Sequence, residues 1–358
     1  MRKPKKIKLN NRSKSTNWFH NHLMTILIVT GAAIVAGVFI FFISSVKTGD
    51  GINLITIKKP AEKYYSILTG KRVASEEAKT APVTAVMIEN SPDARPQSGL
   101  KQAGVVYEAV AEGGITRFMA VYQGKKPKLL GPVRSLRMYF LSWGAPYQAS
   151  IAHVGGAKNA LAVVRNGNYR DIDQFFNSRY YWRSNDRYAP HNMYTSGDKL
   201  DQLNKSKKYT KSSFESFKRK DGKPVAKPNA KSIKINFSGP LFNTSYKYDT
   251  KSNTYIRSMA GAAHKDRELG QITPDVVVAI EVRATARPGA PQYQDLVTTG
   301  QGRAYIFQNG TVTKATWKKS GLKGTLRLID SKGQDIELNR GQTWIGAITA
   351  GRGSVKWQ

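Results

Sequence analysis

The pattern of apolar and polar positions divides the chain into stretches of different character. Residues 23–43 (LMTILIVTGAAIVAGVFIFFI) form 21 uncharged residues, long enough to cross a bilayer as a helix. Residues 44–80 are polar with scattered apolar positions, which is typical of a stalk. From residue 81 onward, short apolar runs follow each other closely and predict folded structure.

Residues 81–204 mix strand and helix patterns. PVTAVMIEN and ASIAHVGG read as strands, and GVVYEAVAEGGITRFMAVYQ reads as two strands joined at Gly113-Gly114. Leu136–Tyr147 and Ala157–Arg165 have the apolar spacing of helices. This stretch therefore predicts a mixed α/β domain.

The second half of the chain has a different pattern. Residues 205–231 are rich in lysine and contain two prolines, which indicates a basic linker or loop between two cores. Residues 232–350 contain many short alternating or β-branched runs with turn signals at Asn309-Gly310 and Lys332-Gly333. Such runs predict a small, mainly antiparallel β domain.

The predicted fold class is α+β, with an N-terminal transmembrane helix, a mixed α/β domain and a small β domain. In chain order the predicted parts are a basic cytoplasmic tail (1–22), the transmembrane helix (23–43), the stalk (44–80), the α/β domain (81–204), the basic linker or loop (205–231) and the β domain (232–350).

Charge decides where these parts are expected to lie. The chain has 57 Lys and Arg against 24 Asp and Glu, a formal charge of +33. Residues 1–22 carry seven of these cations and no acid, so the positive-inside rule places them in the cytoplasm and the rest outside. The outer part keeps a charge of +26, which favours an anionic cell-wall polymer or an envelope protein as partner, and nucleic acid is not expected.

The hairpin 105–123 offers the first candidate chemistry. If Gly113-Gly114 is a two-residue loop, Glu108, Glu112 and Arg117 share one face of the hairpin. Such a cluster can be a structural ion network, or a carboxylate pair for acid–base work or for a hard cation. We favour the structural interpretation, because the arginine would keep both carboxylates ionised.

The segment GPVRSLRMYF contains the second group of candidate functional residues. Gly131-Pro132 ends the preceding segment and Ser135 is a plausible N-cap, so Arg134 and Arg137 would stand at a helix start. Cations there oppose the helix dipole. We therefore expect either an anionic ligand or a carboxylate, Glu108 or Glu112, beside them.

Two histidines complete the candidates. His153 ends a predicted strand, His191 lies in RYAPHNMY, and Asp171 and Asp173 lie between them in sequence. No metal-ligand spacing, nucleophile elbow, P-loop or dinucleotide motif is present, so no metal or cofactor is expected. The chain has no cysteine, which excludes disulfides, thiolate metal sites and a cysteine nucleophile.

Five motifs, in the order ENSPDARPQSGL, YEAVAEGGITRF, GPVRSLR, HVGG and APHNMY, resemble the N-terminal part of the YerB-like proteins. NGTVTKATWKK and GQTWI resemble the C-terminal part. These are bacterial envelope proteins, mainly of Gram-positive species, built around a domain of unknown function. The resemblance implies an extracytoplasmic location and a two-part architecture but no reaction. Many members are lipoproteins; this chain lacks the required cysteine, so the apolar helix is expected to be its anchor.

We therefore expect a membrane-anchored, extracytoplasmic binding or regulatory module that recognises an anionic group of the cell wall or of a partner protein. The predicted pocket residues are Arg95, Arg117, Arg134, Arg137, Arg183, His153, His191 and Asn192. The alternative is an extracellular hydrolase or transferase acting on a cell-wall polymer, with Glu108 or Glu112 and a histidine as the acid–base pair.

Overall fold

Residues 62–287 and 290–358 are described by the structure, a computed structural model. Within them lie four short α-helices: α1 (Glu76–Lys79), α2 (Met138–Gly144), α3 (Lys158–Val164) and α4 (Gly197–Ser206). The strands are β1 (Tyr64–Tyr65), β2 (Arg72–Val73), β3 (Val83–Glu89), β4 (Val105–Val110), β5 (Thr116–Gln123), β6 (Ser150–His153), β7 (Arg170–Asp173), β8 (Trp182–Arg183), β9 (Met193–Tyr194), β10 (Arg219–Lys220), β11 (Ser232–Asn236), β12 (Thr244–Asp249), β13 (Thr254–Met259), β14 (Ala262–Ala263), β15 (Lys265–Asp266), β16 (Gly270–Gln271), β17 (Val276–Val282), β18 (Ala284–Arg287), β19 (Ala290–Leu296), β20 (Gly300–Gln308), β21 (Thr311–Lys319), β22 (Arg327–Ile329), β23 (Leu338–Asn339), β24 (Thr343–Thr349) and β25 (Ser354–Trp357).

A ten-stranded sheet dominates the fold, in the order β22-β21-β20-β17-β24-β4-β5-β3-β6-β7. Its first five strands come from the second half of the chain and its last five from the first half. The two halves join where β24 runs parallel to β4, with Thr343 opposite Val105 and Ala347 opposite Ala109. Glu62–Gln358 accordingly forms one compact unit.

The predicted fold class is wrong. The described chain is mostly β, and its main sheet is shared by both halves instead of being divided between an α/β domain and a small β domain. The physical reason lies in β4 and β24, whose side chains are buried on both faces. Strands of that kind belong at the centre of a sheet and need partners on both edges.

A second sheet covers one face of the first. It has five strands in the order β14-β13-β12-β11-β25, and its apolar face contributes Ile233, Ile235 and Tyr246 to a core shared with Phe118 and Trp344 of the large sheet. The opposite face of the large sheet forms another core, beneath the aromatic residues of α2. The central strands of the large sheet are thus buried on both faces.

The N-terminal predictions divide into two groups. The span predicted at 23–43 lies outside the described residues, and no helix within the described residues is long and apolar enough to cross a membrane. Residues 62–80, predicted as stalk, are instead folded: they form β1, β2 and α1, and Leu68 is fully buried in the core.

The stretch 205–231 is attached to the rest of the fold at a few buried positions. It begins inside α4, contains β10, and buries Phe217 and Ala230. Ser212 Oγ accepts a hydrogen bond from the Val83 amide at the start of β3 (3.0 Å). The stretch therefore follows the surface of the fold as a packed strap, and its role as a domain boundary stays a prediction.

Candidate functional site

Most of the predicted site residues lie near one edge of the large sheet. The parallel strands β3, β6 and β7 end at Glu89, His153 and Asp173 respectively. The segment 131–137 passes between β3 and the loop after β6, because the Arg134 amide donates to the Met87 carbonyl (2.9 Å) and the Val154 amide donates to the Arg134 carbonyl (3.1 Å). Polar strand ends at such an edge are a common location of ligand sites.

Glu89 organises the first cluster at this edge. Its Oε1 lies 3.2 Å from Arg134 Nε and 2.8 Å from His191 Nδ1, and it accepts a hydrogen bond from Ser91 Oγ (2.9 Å). Burial lowers the pKa of Arg134, against the pull of the Glu89 charge. Sequence reasoning did not select Glu89, although a carboxylate at the end of a buried strand, followed by Asn-Ser, was the available signal.

The Ser91, His191 and Glu89 contacts do not form a nucleophile relay. Ser91 Oγ lies 3.1 Å from His191 Nδ1, the same ring nitrogen that contacts Glu89. In a serine triad the hydroxyl and the carboxylate contact opposite nitrogens, so that a proton can pass through the ring. The arrangement fits a positioning network better than an activated serine.

Glu112 organises the second cluster. It accepts a hydrogen bond from Arg117 Nη2 (2.7 Å) and forms an ion pair with Arg137 Nη2. Arg137 is the N-cap of α2, so the helix begins at Met138, later than predicted, and Ser135 does not cap it. Arg134 and Arg137 are each beside a carboxylate, but each has its own.

Glu108 does not belong to the Glu112 cluster, because the hairpin register differs by one residue from the prediction. Arg117 is opposite Ala109, and Glu108 is opposite Phe118. The loop holds one more residue than expected, with Gly113 and Gly114 both at positive φ. Since neighbouring side chains alternate between faces, the shift sends Glu108 and Arg117 to opposite sides of the sheet.

His153 lies in a separate cluster and is itself fully buried. Its Nδ1 is 2.7 Å from the Gly155 carbonyl and its Nε2 is 3.0 Å from Asp171 Oδ1. Both ring nitrogens thus lie within hydrogen-bond distance of an oxygen atom. Burial tends to raise the pKa of Asp171, but the hydrogen bond and the charge of His153 lower it, and the net result is a lowered pKa.

The remaining predicted pair is Arg183 and Asn192. Arg183 Nη1 donates to Asn192 Oδ1 (2.7 Å), and Asn192 Nδ2 donates to the carbonyls of Ser184 and Arg187. These contacts fix the loop that carries His191. The predicted pocket residues therefore form several small clusters along one edge and do not converge on one cavity.

A buried polar network connects this edge to the second half of the chain. Asn90 is its branching point: Oδ1 accepts from Arg95 Nε (3.1 Å) and Gln97 Nε2 (2.9 Å), and Nδ2 donates to Thr116 Oγ1 (2.6 Å). Thr116 Oγ1 donates in turn to Glu108 Oε1 (3.3 Å). Asn90 thereby links Arg95 to the buried carboxylate.

The network closes through Arg257 and His264. Arg257 Nη2 donates to Glu108 Oε2 (2.7 Å), and both side chains of this ion pair are fully buried. Arg257 Nε donates to His264 Nδ1 (2.9 Å), and His264 Nε2 is 3.1 Å from Gln97 Oε1. The ring is consequently neutral with its proton on Nε2, because Nδ1 acts as an acceptor. Burial, followed by the charges of Arg257 and Arg95, holds the pKa of His264 well below its usual value.

Above this network lies a cavity of about 350 Å³, which we call the Arg95 pocket. Its lining residues are Arg95, Pro96, Met259, Ala260, Ala262, Ala263, His264 and Lys265. Arg95 and Lys265 are its charged residues, and no carboxylate is among the lining residues of the described chain. Sequence reasoning selected Arg95 but missed Lys265 and the hairpin 259–263, which is distant in sequence.

Arg95 is held rigidly at this pocket. Besides Asn90 Oδ1, it donates from Nη2 to the carbonyls of Asn90 (3.0 Å) and Leu241 (2.8 Å), and its guanidinium lies 5.3 Å from the centre of the Phe242 ring. Within the described chain, Nη1 has no hydrogen-bond partner. Burial lowers the pKa of Arg95, but an arginine remains charged at neutral pH. Arg95 thus brings a fixed positive charge, with Nη1 still unbonded in the described chain, to the lining of the pocket.

Two family models match this chain, one in each half. The family described as "Protein of unknown function (DUF3048) N-terminal domain" matches residues 68–210, and its "C-terminal domain" matches residues 233–345. The chain belongs to the DUF3048 family. The resemblance to YerB-like proteins is thereby confirmed.

Two comparisons extend the DUF3048 assignment. The Bacillus subtilis (strain 168) protein named "Putative lipoprotein YerB" is 31% identical over 295 residues, which is 80% of this chain and 87% of that protein. The crystal structure of YerB from Bacillus subtilis matches with a TM-score of 0.74 and 26% identity, over 82% of this chain and all of that one. Since the family has no assigned reaction, function has to be argued from the site.

Proposed function

We propose that this DUF3048 protein is a membrane-associated envelope protein that binds an anionic group through the Arg95 pocket. The observation that carries the proposal is the fixed Arg95 guanidinium, which has one nitrogen without a partner in the described chain. Arg95 lines a cavity whose lining includes a second cation and no acid. The other nitrogens of Arg95 are already hydrogen-bonded and hold the side chain in place. Binding of an anion to the unbonded nitrogen therefore costs little conformational entropy.

The location is proposed on two grounds. The relative in Bacillus subtilis is named as a lipoprotein, and residues 23–43 of this chain are apolar and preceded by seven cations. We propose that this N-terminal segment attaches the protein in a single pass, with the folded part outside. Protease added to wall-stripped cells should then degrade the folded part, and complete protection would contradict the orientation.

The binding proposal is tested with full-length protein in detergent and isolated cell walls. Because the outer part carries +26, part of the binding should be nonspecific and weaken as salt rises. Arg95→Ala and Lys265→Ala should each lower the salt-resistant part at least fivefold. Lys234→Ala removes an exposed cation from β11 and is the matched control for net charge. Equal loss in all three variants would show that only net charge matters and would contradict the proposal.

The acid–base alternative has less support from the geometry. Glu108 is fully buried against Arg257, and Glu112 is held between two arginines. A general acid needs access to substrate, whereas both carboxylates are already engaged by guanidinium groups. We therefore propose a binding role rather than hydrolysis for this edge of the sheet.

A further inference from the structure

We infer that the Arg95 pocket takes the C-terminal carboxylate of a short peptide whose last residues have small aliphatic side chains. This inference rests on the proposed anion-binding function and names the class of ligand. It follows from three properties of the pocket: the number of donors, the chemistry of the walls and the size.

The donors suit a carboxylate better than a phosphate. Nε and Nη2 of Arg95 already donate hydrogen bonds to Asn90 and Leu241, so Nη1 is the nitrogen that can bind a ligand, in one fixed direction. Lys265, exposed at the rim, can supply a second contact. Two donors match the two oxygens of a carboxylate, whereas a phosphate monoester presents three charged oxygens.

His264 cannot supply a third hydrogen-bond donor for a phosphate. Its Nδ1 accepts from Arg257 and its Nε2 faces Gln97, so both ring nitrogens are already bonded beneath the pocket. The other lining residues are Pro96, Met259 and three alanines, whose side chains donate no hydrogen bonds. The side chains of these walls would replace none of the hydrogen bonds that a ligand with three strongly hydrated oxygens makes to water.

The walls and the size define the body of the ligand. Ala260, Ala262 and Ala263 present methyl groups beside Pro96 and Met259, so the atoms next to the carboxylate should be aliphatic. A volume of about 350 Å³ has room for roughly ten water-sized groups, which is close to two small residues.

The probes for the test are N-acetyl-Ala-Ala, its C-terminal amide and glycerol phosphate, each added to the full-length protein in detergent. We expect calorimetry to show that the free acid binds at least tenfold more tightly than the amide and than glycerol phosphate. Arg95→Ala should abolish binding of the acid. Ala262→Leu should weaken it by filling the pocket while Arg95 stays in place, and Lys234→Ala should leave it unchanged.

The outcomes separate this inference from the proposed function. Arg95-dependent binding in which glycerol phosphate equals or exceeds the peptide acid would overturn the peptide inference and leave anion binding intact. Equal affinity for the acid and the amide would also overturn it. If none of the probes binds and cell-wall binding is also indifferent to Arg95→Ala, the proposed function fails as well.

Discussion

At the scale of single residues, the most consequential side chains are buried charged residues whose partners are distant in the sequence. Glu108 and Arg257 are 149 positions apart and both fully buried, with Trp344 Nε1 donating to the same carboxylate oxygen (3.0 Å). Removing one partner of such a pair leaves the other charged and unpaired, at a cost of about 3–5 kcal/mol. This pair thus makes the first half of the chain depend on the second.

His264 gives this network a pH dependence. Its pKa is well below the usual value in the folded protein, mainly through burial and also through Arg257 and Arg95, whereas the unfolded chain has a value of about 6.5. Below that pH the unfolded state takes up the proton and the folded state does not. The free energy of unfolding should therefore decrease as pH falls from 6.5, by at most about 1.4 kcal/mol per pH unit for this group.

Denaturant unfolding of the wild type and His264→Gln at pH 7, 6 and 5 measures this effect. Glutamine can accept from Arg257 and donate to Gln97 but does not titrate, so the variant should lose this part of the slope. The expected result is a smaller decrease in the free energy of unfolding of the variant between pH 7 and pH 5. Parallel slopes would show that His264 does not hold a depressed pKa.

At the scale of elements, the segment 131–137 fits between its neighbours only because of its glycine. Gly131 has φ +150°, and a Cβ there would lie 2.7 Å from Tyr194 Cδ1 and 3.0 Å from the Met193 carbonyl oxygen. The same residue exchanges backbone hydrogen bonds with Ser98. Its side-chain hydrogen is thus a condition for placing Arg134 beside Glu89.

Gly131→Ala should consequently lower the free energy of unfolding by about 2 kcal/mol or more, through backbone strain and overpacking. Gly239→Ala is the matched control, since φ is −136° and no atom would lie within 4 Å of its Cβ. We expect the control to change stability by less than about 1 kcal/mol. Similar denaturation midpoints for the two variants would argue against a close fit at Gly131.

Local pattern predicted most elements and few of their partners. The strands β3, β4, β5 and β6 lie where apolar runs predicted them. A buried strand needs apolar residues within its own sequence, whichever strand it pairs with. The hairpin register was wrong by one residue, since both a two-residue and a three-residue loop suit Gly113-Gly114. That single residue decided which face Glu108 occupies.

The Arg95 pocket illustrates a second limit. ENSPDARP attracts attention as a polar motif after a strand, but its partners Met259–Lys265 are a plain hairpin in the sequence. Only pairing of the two halves brings them together. One signal was available: β4, β17 and β24 are nearly continuous apolar runs, which is typical of central strands with parallel neighbours.

At the scale of the whole molecule, the parallel pair β24–β4 should make folding a single event. Separating the halves would expose an edge of β4, whose six residues are all buried, and would leave Glu108 without Arg257. An exposed, apolar edge strand of this kind promotes aggregation. We therefore expect that neither half folds alone.

The test is to divide the chain between Lys223 and Pro224, in an exposed part of the strap, and to produce residues 1–223 and 224–358 separately and together. Each half alone should aggregate or unfold without a cooperative transition. Produced together, they should form a one-to-one complex with a single transition, because the β24–β4 ladder and both cores reform across the cut.

Glu108→Gln in the first half should weaken that complex more than Glu112→Gln, since Glu108 contacts the second half and Glu112 is paired within the first. Two halves that fold separately, each with its own cooperative transition, would contradict this view and would restore two independent domains.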